Sequence, residues 1–323
     1  MTLMTVPVID LAPYRDGSAR LDVARAVDRA CRDIGFLVVA GHGVPQNLVE
    51  RTRAAGRAYF DLPLAEKQRV ARPAPTVARG YIGLEEESVG RSRDPNATAG
   101  DLNESLMIGP VDQPDPAYAA AGGPHFAPNL WPADPAELRP VWSEYYRAMG
   151  DLAKTLMRIF ALALGKDELF FDPLVDRHIS RLRVRNYPAP SRAPLPGQIR
   201  AGAHSDYGSL TILCTEDRAG GLQVFNKASA WVDVPILPDT FIVNIGDLLA
   251  RWTNDEWVST LHRVVNPPLN AGAASRRQSL VFFHNPNYDA PVASLMAGQT
   301  KYPPTTSGAH LARLFLATQN TAA

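Results

Sequence analysis

The most constraining feature of this chain is a succession of short, β-branched or aromatic segments after residue 180, separated from one another by Gly, Pro or Asn. Seven such segments are 181–187, 208–214, 221–225, 231–234, 241–245, 258–265 and 277–283. Segments of this length and composition are typical of β-strands, and a long series of them favours a double-sheet jelly roll. We therefore expect a jelly-roll core in the second half of the chain.

The first half of the chain has a mixed pattern of strands and helices. Short strands are predicted over 6–11 and 36–39, and apolar residues recur at helical spacing over 21–34 and 47–60. The segment 73–132 is rich in Pro, Gly, Ala and Asp and has few periodic apolar positions, which predicts irregular structure. The overall class is therefore α+β, with helices flanking the jelly roll.

A long helix and a terminal helix complete the prediction. Asp134 is expected to cap the long helix, with Pro135 at its first position and Gly165 at its end. A second helix over 310–318 is expected to cover the mouth of the barrel. We expect one integrated structural unit made of two regions, an N-terminal region with substrate-lid loops and a catalytic jelly-roll region, covering 1–130 and 131–323.

Composition indicates an ordinary globular protein. The chain has 323 residues, of which 46% are hydrophobic and 20% charged, and its 33 basic residues equal its 33 acidic ones. This balance gives no bulk field that would favour nucleic acid or an anionic membrane surface. Only two cysteines are present, which predicts a reducing cytoplasm, and no stretch approaches the eighteen apolar residues of a membrane span. No heptad pattern is present, so a monomer is expected.

One carboxylate and two imidazoles are spaced as a metal site requires. In an extended segment, His204 and Asp206 project to the same side because they are two residues apart. His262 lies on a predicted strand some fifty residues later. Two histidines and one carboxylate form the ligand set that holds non-haem Fe(II) while leaving coordination positions open. The alternative interpretation is an ordinary polar cluster.

An arginine and a serine follow the second histidine. Arg277 and Ser279 share one face of the predicted strand 277–283. A planar guanidinium with a hydroxyl two residues away suits the binding of a carboxylate. A surface ion pair on an edge strand is the alternative.

These motifs resemble the isopenicillin N synthase-like branch of the Fe(II)/2-oxoglutarate-dependent dioxygenases. The family pattern is His-x-Asp, then His, then Arg-x-Ser, and His204/Asp206, His262 and Arg277/Ser279 match it in order and spacing. Further matches run from about residue 6 to about residue 288 and include Gly41-His-Gly-Val-Pro45, Arg79-Gly-Tyr81, Leu182-Arg-Val-Arg-Asn-Tyr-Pro188 and Asn244-Ile-Gly-Asp247.

The resemblance implies a cupin-like jelly roll, with Fe(II), 2-oxoglutarate and O2 as cofactor and cosubstrates. It also implies that His204, Asp206 and His262 bind the iron, and that Arg277 and Ser279 bind the 5-carboxylate of 2-oxoglutarate. Related halogenases replace the carboxylate ligand with Gly or Ala, so Asp206 argues against halogenation. Hydroxylation is the default outcome, although desaturation, ring closure and epoxidation use the same metal site.

Several helper residues are also expected near the site. Tyr187 matches a family position whose hydroxyl lies near the cosubstrate, whereas Arg185 stands where many relatives have Asn. Arg185 either binds an anionic substrate group or pairs with a carboxylate of the chain. Phe283 and Trp252 are candidates for the wall and the closure of the substrate pocket, and core packing is the alternative for both. Glu85-Glu-Glu87 is expected to form a solvated acidic turn, with a cation-binding lip as the other interpretation.

Other function classes stay open at this point. An oxidase of the isopenicillin N synthase type would need no 2-oxoglutarate and would use the Arg-x-Ser pair on its own substrate. A non-catalytic binding protein of cupin-like fold and a zinc hydrolase have the same ligands available. The mixture of aromatic and charged residues in the variable segments suits a polar small molecule, as in secondary metabolism.

Overall fold

The computed structural model of the chain describes residues 6–94, 99–112, 114–218 and 220–319. Its strands are β1 (Val8–Asp10), β2 (Phe36–Ala40), β3 (Gly80–Ile82), β4 (Glu104–Ile108), β5 (Arg181–Tyr187), β6 (Ala201–His204), β7 (Leu210–Thr215), β8 (Leu222–Phe225), β9 (Trp231–Asp233), β10 (Phe241–Ile245), β11 (His262–Val264), β12 (Arg277–His284), β13 (Pro291–Val292) and β14 (Thr305–Thr306).

The α-helices are α1 (Ala12–Arg15), α2 (Arg20–Asp33), α3 (Gln46–Phe60), α4 (Leu64–Gln68), α5 (Pro116–Gly122), α6 (Leu138–Ala163), α7 (Asp172–Val175), α8 (Asp247–Trp252) and α9 (Ser307–Gln319). Short 3-10 helices cover Val89–Ser92, Gly123–Phe126 and Leu269–Ser275. None of the helices in the described residues combines the length and apolar character that crossing a membrane requires.

Two sheets face each other and form the jelly roll. The major sheet has the order β1-β2-β10-β7-β12-β5-β4-β3, and the minor sheet has the order β6-β11-β8-β9. Apolar side chains from both sheets pack into one shared cluster, which includes Val38, Tyr187, Ile242, Leu222, Val224 and Val264. The predicted jelly roll, also called a double-stranded β-helix, is confirmed. Strands β1 to β4 extend the major sheet, so the two sequence regions share one sheet.

The outer face of the major sheet packs against helices. Strands β5 and β12 alternate, so Leu182, Val184, Leu280 and Phe282 point away from the minor sheet into a core that includes α2, α3 and α6. Helix α6 buries one long apolar stripe in that core, including Trp142, Tyr145, Met149, Leu156 and Phe160. This packing fixes the plane of the sheet and leaves the alternate residues of the same strands facing the barrel interior.

The structure corrects several expectations about local structure. The segment 73–132 is not irregular throughout, because it contains β3, β4 and α5. Strand β4 is buried along its whole length and pairs with β5, so tertiary pairing rather than alternation makes it a strand. The long helix begins at Leu138, with Glu137 rather than Asp134 as its N-cap. The run 258–265 is a strand only over His262–Val264, and β6 was not predicted.

A glycine turn holds the segment that leads to His262. Gly35 follows α2 with a φ of 66°, and a Cβ at this position would lie 1.9 Å from the carbonyl oxygen of Val258. Glycine is therefore required both for the left-handed backbone and for the close approach. The hydroxyl of Thr260 donates to the Ile34 carbonyl (2.6 Å), which anchors the chain two residues before His262.

Candidate active site

The two histidines face each other across the minor sheet. His204 ends β6 and His262 begins β11, and the antiparallel register places them opposite each other. Their ring centroids are 4.3 Å apart. Asp206 follows β6, and its Oδ1 lies 3.9 Å from His204 Nε2 and 3.8 Å from His262 Nε2. Among the described residues, this is the group of potential ligand atoms that lies within a metal's reach, with all three atoms within 4.8 Å of one another.

Each ligand side chain is held by its other polar atom. The Nδ1–H of His204 donates to the Gly202 carbonyl at 2.7 Å, and the Nδ1–H of His262 donates to the Thr260 carbonyl at 3.1 Å. Because a carbonyl can only accept, these bonds place the proton on Nδ1 and leave the Nε2 lone pair free on both rings. Such outer contacts fix the tautomer and orientation of a histidine that binds a metal.

The carboxylate of Asp206 is oriented in the same way. Thr211 Oγ1 and Asn244 Nδ2 both donate to its Oδ2, at 2.6 and 2.7 Å. Its Oδ1 faces the two histidines. Sequence reasoning did not identify Thr211 or Asn244 as part of the site, because only the paired strands β7 and β10 bring them to Asp206.

The electrostatics of the cluster favour the protonation states that a cation needs. Burial, with a further contribution from His262, lowers the pKa of His204 to about 3, so its imidazole is neutral at pH 7. Burial by itself would raise the pKa of Asp206, but the two histidines and the hydrogen bonds from Asn244 and Thr211 outweigh it and lower that pKa. A neutral imidazole beside an ionised carboxylate is ready to bind a divalent metal.

Arg277 is buried inside the barrel with unused hydrogen-bond donors. It is 1% exposed, and its Nε and Nη1 have no partner among the described residues. Its guanidinium carbon lies 4.9 Å from the ring centroid of Tyr187, which is its neighbour on β5. Ser279 is two residues further along β12, and its hydroxyl is 2.9 Å from that of Thr215. A buried guanidinium with free N–H groups is costly unless an anion or water completes it.

A cavity of about 430 Å³ opens beside the metal cluster. Among the residues that line it are His204, Asp206, Phe283, Arg181, Arg183, Arg185, Glu87, Met107, Leu311 and Phe315. The last two belong to α9, so the terminal helix covers one side of this cavity, as its position in the sequence suggested. A volume of this size matches small-molecule sites.

Strand β5 points three arginines into the cavity. Arg183 donates to Glu87 at 2.6 Å and to Ser105 at 2.9 Å; Ser105 is on β4, and Glu87 lies in the connection that follows β3. Arg185 donates to the side-chain oxygen of Asn103 at 3.0 Å. Of these two arginines, Arg183 is the one that pairs with a carboxylate, that of Glu87, whereas Arg185 pairs with an amide. Glu87 faces the cavity, which corrects the expectation of a wholly solvated acidic turn.

The structure separates the two apolar candidates. Phe283 lines the cavity, opposite Arg181 in the pairing of β5 with β12. Trp252 does not line it. Its ring packs against Phe171 in the helical core, 1% exposed, and its indole N–H donates to the Pro291 carbonyl. The prediction that Trp252 closes the pocket is replaced by the packing alternative, since α8 turns this side chain towards the core.

Two family models match the chain. The model for the N-terminal region of non-haem dioxygenases in morphine synthesis matches residues 6–134, and the model for the 2OG-Fe(II) oxygenase superfamily matches residues 178–286. Together they include all the candidate metal and cosubstrate residues named above.

Curated relatives and a solved structure agree with the family models. A 2-oxoglutarate-Fe(II) type oxidoreductase of Emericella nidulans is 34% identical over 312 residues, covering 93% of this chain and 86% of that protein. A homoarginine-6-hydroxylase of Glycine max is 32% identical over 313 residues, covering 92% and 90%. The crystal structure of a full-length Neurospora crassa protein in complex with alpha-KG and thymine has a TM-score of 0.85 and 32% identity, covering 97% of each chain.

The metal cluster, the jelly roll and these similarities lead to one assignment. The chain belongs to the Fe(II)/2-oxoglutarate-dependent oxygenases, and it is a dioxygenase-type oxidoreductase that uses Fe(II), 2-oxoglutarate and O2.

Proposed function

We propose that this enzyme hydroxylates a polar small molecule, and that His204, Asp206 and His262 hold its iron. The observation that carries the proposal is how the polar atoms of these three side chains are used. Every ligand side chain has one polar atom fixed by a hydrogen bond and one atom directed at a shared point. The presence of Asp206 fills the position that a halogenase would leave for chloride, which favours hydroxylation.

Arg277 is the proposed anchor for 2-oxoglutarate. Its two unpartnered nitrogens, Nε and Nη1, are buried in the barrel, and a carboxylate there would supply a charged acceptor that this guanidinium lacks. Ser279 and Tyr187 flank this position on β12 and β5 and would orient the anion. His204, Asp206 and His262 would hold the iron, which would supply a site for O2 and the 2-oxo acid, so that oxidative decarboxylation to succinate and CO2 would accompany insertion of the other oxygen atom into a substrate C–H bond.

The substrate would occupy the cavity on the side of Phe283 and Arg185. The relatives named above act on different molecules or carry no substrate in their names, so no single relative defines it. Homoarginine is cationic, but both cavity glutamates already have partners within the chain, since Glu87 pairs with Arg183 and Glu86 accepts from the backbone N–H of Gly83. A cationic substrate is therefore a poor fit for this chain.

Succinate release tests this proposal. Protein loaded anaerobically with Fe(II) is mixed with 2-oxoglutarate and a metabolite panel, and succinate is measured after oxygen is admitted. The wild type should form succinate, and one panel member should increase the rate, whereas His204→Ala should be inactive. Turnover of a panel compound without 2-oxoglutarate would instead establish the cosubstrate-independent oxidase.

A further inference from the structure

Arg181 differs from the other arginines on the inner face of β5. Arg183 has a carboxylate partner in Glu87, and Arg185 has an amide partner in Asn103. Arg181 is 8% exposed and lines the cavity, but within the described part of the chain its side chain has neither an ion pair nor a hydrogen bond. Its guanidinium group instead contacts an aromatic ring, since the guanidinium carbon lies 4.5 Å from the centroid of Phe315 on α9.

The surroundings of Arg181 add positive rather than negative charge. Arg79 is also buried nearby and gives its N–H groups to the backbone carbonyls of Ala78, His125 and Ala127. Burial, with the neighbouring Arg79, lowers the pKa of Arg181 to about 9, so it is still cationic at pH 7. Two buried cations without a carboxylate between them are a destabilising arrangement that an anion would relieve.

The geometry shows which part of Arg181 is available. Phe315 covers one face of the guanidinium, as in a cation–π contact, so the edge that carries the N–H donors is left for a ligand in the plane of the group. Phe283 stands opposite Arg181 on the paired strand and offers an apolar surface beside it. His204 and Asp206 line the same cavity.

Building on the function proposed above, we propose that the substrate carries a carboxylate, which Arg181 binds between Phe283 and Phe315 while the rest of the molecule extends towards the metal. A carboxylate matches the planar fork of an arginine, and it supplies the negative charge that this end of the cavity lacks. Arg181 is then a substrate-binding and specificity residue, distinct from Arg277 at the cosubstrate position.

Ligand binding tests the proposal with matched pairs of compounds. The probes are 3-phenylpropanoate with 3-phenylpropanamide, and hexanoate with hexanamide, titrated calorimetrically into anaerobic Fe(II)-loaded protein saturated with 2-oxoglutarate. We expect the better-fitting acid to bind wild type about tenfold or more tightly than its amide, and this preference to disappear in Arg181→Met. The surface variant Arg192→Met removes one exposed positive charge and should keep the preference.

Two outcomes would overturn the proposal: acids that bind wild type no better than their amides in both pairs, or a preference that survives in Arg181→Met. Binding of 2-oxoglutarate is measured separately in the same samples. Its failure would refute the proposed cosubstrate site, whereas the difference between acid and amide concerns Arg181 alone.

A second test needs no ligand. Arg181→Met removes an uncompensated buried charge, whereas Arg183→Met, two residues away on the same face, leaves Glu87 without its closest partner. The thermal midpoint of unliganded Arg181→Met should equal or exceed that of wild type, and that of Arg183→Met should fall by several degrees. An equal fall in both variants would make Arg181 a structural residue and contradict the assignment.

Discussion

The two faces of strands β5 and β12 differ in how far their side chains find packing or hydrogen-bond partners within the chain. On the outer face, Leu182, Val184, Leu280 and Phe282 are fully buried against helices and need nothing further. On the inner face, Arg183 has a carboxylate partner within the chain, whereas Arg277 keeps two unpartnered nitrogens and the side chain of Arg181 contacts a ring. The same alternation therefore builds a fold with one face and a binding site with the other. Unsatisfied polar groups on the inner face mark where ligands belong.

The largest effect is expected from the metal ligand that carries the charge. Asp206→Ala removes the only carboxylate of the triad, so we expect iron content and succinate formation to fall to background. Metal analysis after anaerobic loading measures the first quantity and succinate release the second. Asp233→Ala, at an exposed aspartate on β9, is the control. Succinate formation by Asp206→Ala at the wild-type rate would disprove the assigned ligand set.

An outer-face substitution should affect stability instead of chemistry. Phe282→Ala opens a cavity in the packed core and should lower the free energy of unfolding by about 3–5 kcal/mol. Urea unfolding gives that value. The folded fraction of the variant should still bind one iron per chain, since Phe282 points away from the barrel. Loss of iron from well-folded Phe282→Ala protein would show that the two faces are not independent.

The cosubstrate end of the inner face gives the next effect. Arg277→Gln should weaken 2-oxoglutarate binding by about tenfold to a hundredfold, because a charged hydrogen-bond donor to the carboxylate is lost while the iron ligands are intact. Arg276→Gln is a close control, because the adjacent Arg276 instead pairs with Asp61 at the surface. Anaerobic titration of both variants with 2-oxoglutarate measures the change. Equal affinities would place the anchor elsewhere.

The smallest effect concerns the ion pair between Glu87 and Arg183 and the pH dependence of stability. Burial would raise the pKa of Glu87, but Arg183, Arg185 and Arg72 outweigh it and lower that pKa from 4.5 to about 2. A depressed carboxyl pKa contributes stability that is present above the unfolded value of about 4.5 and is lost as pH falls towards 2. Iron-free wild type should therefore lose stability across this window more steeply than Glu87→Gln. Parallel stability curves would show that the pair contributes nothing.

The sequence predicted the parts of the fold that periodicity and composition encode. Strands β5 and β10 match their predicted runs residue for residue, since both are rich in β-branched or alternating residues. Strand β6, Ala-Gly-Ala-His, has no such signal and forms because its partner β11 pairs with it. Strand β4 was missed for the same reason. Tertiary pairing can override local preference in short strands.

Site residues that belong to a sequence motif could be predicted. The partners and orientations of other side chains, which depend on packing, could not. His204, Asp206 and His262 were found from spacing, and the structure brings them together. Arg181 lies on the same face of β5 as Arg183 and Arg185, but the lack of a partner for its side chain is visible only once the neighbouring elements are in place. The orientation of Trp252 likewise depends on how α8 docks, which no local pattern encodes.

A crystal structure of the protein with Fe(II) and 2-oxoglutarate, prepared without oxygen, tests the central claim most directly. We predict iron bound by His204 Nε2, His262 Nε2 and Asp206 Oδ1, with the 5-carboxylate of 2-oxoglutarate on Arg277 and the cavity at Arg181 left for the substrate. Binding of the 5-carboxylate at Arg181, with Arg277 making no contact to the ligand, would contradict the account.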